Sequence, residues 1–134
     1  TLVASLPISS VTGTVQSSCA VTGSSSLIFG TVDAVAQAGG ASATVTTSAI
    51  KCTMGSSVTV TSDGGLNYSG TPRLKNAATD YINYNISFNS PITGAGGATN
   101  ISGNLALSAA IPAGALDNAP AGLYNDMLTL TVSY

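Results

Sequence analysis

The sequence predicts an all-β sandwich, and three observations carry that prediction. Helix signals are almost absent: Glu is missing, Lys and Arg together number 3, and Thr, Val, Ile and Gly recur throughout. Short runs of alternating hydrophobicity follow one another at regular spacing. Turn chemistry separates them, at Gly39-Gly40, Asp63-Gly64-Gly65, Ser69-Gly70-Thr71-Pro72 and Thr93-Gly94-Ala95-Gly96-Gly97.

The chain opens on TLVASLPIS, in which Leu2, Ala4, Leu6 and Ile8 alternate. The phase then breaks, because Val11 and Val15 stand on odd positions, and a one-residue slip turns every side chain to the opposite face. Residues 1–9 and the next run, Val11–Val21, therefore do not read as one strand in one sheet. A frayed terminus or a bent first strand is one account; a separate strand with its own partner is the other. Pro7 removes one backbone donor and weakens such a strand.

Further strands are expected at Ser26–Val32, Ala41–Thr53, Ser57–Ser62, Tyr81–Phe88, Asn100–Leu107 and Met127–Tyr134. In TDYINYNISF, Ile82, Tyr84, Ile86 and Phe88 share a face, and Val58 and Val60 behave likewise. In the last run Leu128, Leu130, Val132 and Tyr134 share one face, and no charge follows Asp126. An apolar edge without a charge, a bulge or a neighbour invites aggregation, so this strand needs a cover.

At 134 residues the chain reads as one domain. Hydrophobic residues make up 44%, while the charged share is 6%, against about 25% in an ordinary soluble domain. Such a surface is a liability in a free monomer and suits a subunit consumed by assembly. The net charge of −2, with Lys51, Arg73 and Lys75 forming no run, excludes electrostatic recruitment of nucleic acid or an anionic membrane. No apolar run of spanning length exists, and no basic n-region opens the chain, so a signal peptide, if present, has been removed. Arg73 and Lys75 read as solvating a loop, with packing between subunits as the alternative.

The chemistry of catalysis is poorly represented. His and Glu are missing, and Asp33, Asp63, Asp80, Asp117 and Asp126 are scattered where turn or cap roles are common. Thr1 resembles an N-terminal nucleophile, yet no helices exist to build the layered fold such enzymes use. DGGLN lacks the carboxylate density of a calcium loop, and TGAGGATN lacks the lysine and helix of a phosphate loop. Three sequons, at Asn67, Asn85 and Asn100, are chance matches in a chain so rich in Asn and Ser. Cys19 and Cys52 lack the two further ligands that zinc wants. They read as one disulfide formed in an oxidising compartment, with two buried thiols as the alternative. No cofactor, metal or catalytic residue is expected.

Five segments resemble one family. CAVTGSSSLIFG (Cys19 to Gly30) is similar to the Cys-x-Val … Leu-x-Phe-Gly opening of the spore coat protein U-like family, whose members are subunits of archaic chaperone–usher pili. IKCTMG (Ile50 to Gly55) is similar to its second-cysteine motif and TPRLKN (Thr71 to Asn76) to its Arg-Leu segment. INYNISF and AGLYNDMLTLTVSY resemble its Leu-x-Tyr-x-Leu and terminal Gly-x-Tyr-x-Asp strands, in family order.

The resemblance implies an incomplete immunoglobulin-like sandwich that lacks its last strand. Its groove, beside Leu128, Leu130, Val132 and Tyr134, is filled first by a periplasmic chaperone and then by the next subunit's N-terminal extension. Residues 1–9, with Leu2, Ala4, Leu6 and Ile8 as inserted side chains, become the donor strand, and 10–134 the pilin domain. The implied partners are further copies of the same subunit in a homopolymer, together with the chaperone and an outer-membrane usher. The implied product is an extracellular adhesive filament on a bacterial surface, serving attachment and biofilm. The alternatives are the pilin domain of a tip adhesin and a protective spore-coat or matrix protein.

Overall fold

A computed structural model describes residues 2–134 of the chain. Thr1, considered above as a nucleophile, lies outside the described residues. Twelve short strands follow in chain order: β1 (Cys19–Thr22), β2 (Ser26–Ile28), β3 (Ala41–Ser42), β4 (Thr44–Thr46), β5 (Ala49–Cys52), β6 (Ser57–Ser62), β7 (Arg73–Lys75), β8 (Tyr81–Asn83), β9 (Asn85–Ser87), β10 (Ile92–Thr93), β11 (Ser108–Ile111) and β12 (Leu130–Ser133). One 3-10 turn, Ser102–Leu105, interrupts them. With 32% of the chain in strands and 3% in helix, the protein is all-β.

Every pairing is antiparallel. β1 lies on β5, with Cys19 opposite Cys52 and Val21 opposite Ile50. β2 continues along β4, with Leu27 opposite Val45. The joint between the two halves has a physical cause: the Ser25 hydroxyl takes the Ser48 backbone N–H at 2.7 Å, so side chain replaces main chain there. β11 sits between β3 and β9, and β6 between β10 and β12, while β7 pairs β8. These small sheets, with no barrel, form an arrangement consistent with an immunoglobulin-like sandwich.

β6 shows how the pattern sets the core: Val58 and Val60 point inward and are buried, while Ser57, Thr59 and Thr61 face solvent. Around these valines pack Ile50, Cys52, Ile92, Ile101 and Leu105. A second cluster gathers Ile82, Tyr84, Ala109, Ile111 and Leu116.

Several expectations need correcting. Val11–Val21 forms a strand only from Cys19, because residues 2–17 have no strand beside them to take their backbone bonds. Asn100–Leu107 is a 3-10 turn, with the strand following at β11. Ile101 and Leu105 are both buried and stand four apart, a spacing that fits one face of a strand. The Asn100 side-chain oxygen tips the balance by accepting from the Ser102 N–H at 2.9 Å and the Ile50 N–H at 3.0 Å. Arg73 and Lys75 belong to β7 and not to a loop. The Arg73 guanidinium lies 3.7 Å over the Tyr81 ring, and its Nε donates to the Asn67 carbonyl at 2.7 Å.

Candidate functional site

β12 is hydrogen-bonded to a strand on one edge only, with Leu130 opposite Ser62 and Val132 opposite Val60. Among the described residues no strand pairs its other edge. Ahead of it the chain from Met127 is already extended along the turn after β6. The Met127 carbonyl accepts from Leu66 N–H at 3.0 Å, and the Thr129 carbonyl from Asp63 N–H at 3.1 Å. Asp63 Oδ1 in turn takes the Thr129 N–H at 3.0 Å and the Gly65 N–H at 2.9 Å. Those two donors, Thr129 foremost, hold the Asp63 carboxyl below its usual range.

Beside this free edge the sandwich stands open. A cavity of about 390 Å³ separates β12 from the β1–β2 segment. Leu128, Leu130 and Val132 line one wall, Val21 and Leu27 the other, and Ile50, Val60, Leu105 and Leu107 the floor. Leu128, Leu130 and Val132 are half-buried, so the groove stops short of covering them. Tyr134 lies past the strand's end, 63% exposed, and does not line the cavity.

The arm ahead of β1 presents the opposite condition. Leu2, Ala4, Leu6 and Ile8 are all exposed, Leu6 at 86%, and enter no cavity of their own chain. Val11 and Val15 are equally bare, at 88% and 85%. The arm is tied down only at its base, where the Gln16 and Ser18 carbonyls accept from the Thr53 hydroxyl at 3.2 Å each. Just beyond, Cys19 and Cys52 form a disulfide with S–S 2.04 Å that joins facing residues of β1 and β5.

One carboxylate, Asp126, lines the groove, together with Tyr84 and the hydroxyls of Ser25, Ser26, Thr47 and Ser48. Asp126 Oδ2 accepts from the Tyr84 hydroxyl at 2.5 Å, and Oδ1 from the Asn67 side-chain amide at 3.1 Å and its backbone N–H at 3.3 Å. Burial first, then this hydrogen bond and the carboxylate's charge, raise the Tyr84 phenol well above its ordinary value. The turn-or-cap reading holds for Asp33, whose Oδ1 takes the Val35 and Ala36 N–H groups. For Asp126 it misses the Tyr84 contact. The walls Val21 and Leu27 also went unassigned, although both sit in expected strands; alternation shows which residues turn inward, not which cleft they face.

No helix is long and apolar enough to cross a membrane. The site brings together largely apolar walls and a strand edge that no described strand pairs. A family profile described as Spore Coat Protein U domain matches residues 6–131, and the chain belongs to that family. The family is structural and pilin-type, with subunits of pilus or spore-coat U kind, and not enzymatic. The matched span begins inside the arm, at Leu6. No curated protein matches the chain.

Proposed function

We propose that this protein is the shaft subunit of an archaic chaperone–usher pilus, joined head to tail by strand donation. Residues 1–9 of one copy enter the groove of the next, lie along the free edge of β12, and insert Leu2, Ala4, Leu6 and Ile8 against Leu128, Leu130 and Val132. A periplasmic chaperone fills the groove until the usher hands the subunit to the growing end. Such a contact does not close on itself, so repetition yields an extracellular filament suited to adhesion and biofilm.

The observation that carries this reading is one molecule with both an open apolar groove at a strand edge and a bare arm of matching two-residue period. Three large aliphatic side chains contribute about 4.5–9 kcal/mol at full burial. That meets only the lower part of the roughly 4–15 kcal/mol that association costs, so main-chain hydrogen bonds along β12 and further contacts are required.

The test is deletion of residues 1–9, followed by assembly with and without wild-type subunits. The truncated chain should stay unpolymerised alone and be taken up at one end by wild-type fibres. Self-polymerisation of the truncated chain would overturn the reading. A coat or matrix role is the second reading, favoured by the family's description; negative-stain images would then show layers in place of linear fibres.

A further inference from the structure

The groove does not end at Leu128. A second cavity of about 990 Å³ adjoins it, and the two share Leu27, Phe29, Leu74 and Asp126 as walls. Beyond Asp126 the second cavity is lined by Val32, Pro120, Leu123 and Tyr124, among others. Together they make one apolar trough in two compartments, with a carboxylate at the junction. The chain from Pro120 to Val132 runs along both, at most about 43 Å at ~3.3 Å per residue.

The arm has the same plan. Leu2, Ala4, Leu6 and Ile8 form an even-numbered block, Val11, Gly13 and Val15 an odd-numbered one, and Ser9-Ser10 joins them. Residues 2–8 extended reach about 23 Å, half the trough, whereas Leu2 to Val15 reach about 46 Å, its whole length. Residues 2–15 make no hydrogen bond to another described residue, so all of this span is free to leave its own subunit.

We infer that the donated strand runs through both compartments, with Leu2–Ile8 in the first, Val11–Val15 in the second, and the Ser10 hydroxyl donating to Asp126 at the junction. This rests on the strand-donation reading above and extends it. Antiparallel to β12, the pairing sets Leu6 against Leu130, Ile8 against Leu128 and Ser10 against Asp126, all on the inward face. A one-residue bulge at Ser10–Val11 then turns the odd block inward, since a bulge sets two residues against one. The phase break in the sequence is thus the device that keeps both blocks pointing into the trough. Asp126 has capacity for the hydroxyl: a carboxylate offers about four acceptor sites, and three hydrogen bonds are made within the subunit.

The test compares full-length variants under one assembly protocol: Leu6→Asp, the double Val11→Asp/Val15→Asp, and the outward-facing Val3→Asp. Because these side chains are bare in the free subunit, all should fold. Yield of denaturant-resistant multimers should fall at least about tenfold for Leu6→Asp and for the double variant, and stay within about twofold for Val3→Asp. Normal assembly of the double variant with loss in Leu6→Asp overturns the second compartment and leaves the shorter donor standing. Normal assembly of Leu6→Asp overturns strand donation itself. A benzophenone side chain at position 13 supplies a direct readout: crosslinks to residues 120–124 or 29–32 of a second copy support the register, and crosslinks confined to its own chain overturn it.

Discussion

The Tyr84 hydroxyl donates to Asp126 Oδ2 at 2.5 Å across 42 positions of sequence, tying the β8–β9 junction to the approach of the last strand. Asn67 holds the other carboxylate oxygen, so a single half-buried network fixes where the chain enters β12. A hydrogen bond to a charged group contributes about 1.5–3 kcal/mol. Tyr84→Phe should lower stability by about that amount in urea titration, with strands intact by circular dichroism. The phenol's value is raised in the folded state, so its contribution is whole below the unfolded value of about 10 and is lost as pH rises above it. Wild type should weaken in that alkaline window, and Tyr84→Phe should lack this part of the slope.

Gly65 stands against the same carboxylate. A Cβ there would overlap Asp126 Oδ2, and φ of +91° is unfavourable for any L side chain. Gly65→Ala should therefore destabilise by about 1–3 kcal/mol and weaken assembly. Gly64 shares the conformation, but its Cβ would meet the Tyr68 ring at 2.5 Å, and that ring is 55% exposed and able to swing aside. Gly64→Ala should cost less. An equal or reversed order in thermal melts would show that Asp126 is not rigidly held.

Much of the fold was legible because strand β6 and the Ile82–Phe88 stretch obey one period and no other. Asn100–Leu107 was not, since Ile101 and Leu105 fit a strand's alternation while the bonds that set the turn come from the Asn100 side chain. β7 was hidden by its charged ends, Arg73 being half-buried through its stack on Tyr81. Leu128, Leu130 and Val132 announced a face in need of cover by alternation alone. Tyr134 continues that alternation but lies past the last backbone pairing, so it gains no wall. The opposite wall, Val21 and Leu27, and the Tyr84–Asp126 contact depend on which strands face each other, which no local pattern states.

Asp63 makes the approach to β12 acid-sensitive. Its carboxyl is lowered by the Thr129 and Gly65 N–H groups, so its stabilising effect is full above the ordinary value near 3.9 and disappears as pH falls through the lower folded value. Protonation frees the Thr129 N–H just ahead of β12. The protection of the Thr129 amide, taken relative to its intrinsic exchange rate, should fall in wild type as pH drops below about 4. In Asp63→Ala, which has no acceptor there, protection should be low at neutral pH and change little on acidification.

The disulfide closes a loop of 33 positions between paired residues. In the chain-entropy account that is worth about 3–4 kcal/mol. Cys19→Ala/Cys52→Ala should lose about that much, with the wild-type protein in reductant matching it in the same titration. Cys52 is fully buried, so serine there would add an unsatisfied hydroxyl and confuse the comparison.

Polarity of the joint supplies the last prediction. Leu6→Asp should spoil the donor of a subunit while leaving its groove intact, because Leu6 touches nothing in its own chain. Val21→Trp should do the reverse: Val21 is half-exposed at the groove's rim, and a larger ring there fills the opening without removing any core atom. Each variant alone forms a dead end, the first able only to accept and the second only to donate. Mixed in equal amounts they should give heterodimers and nothing longer, since the dimer has no working arm and no open groove left. Sedimentation velocity distinguishes the outcomes. Monomers alone would mean that each arm closes its own groove, and long polymers would mean that the interface lies elsewhere on the sandwich.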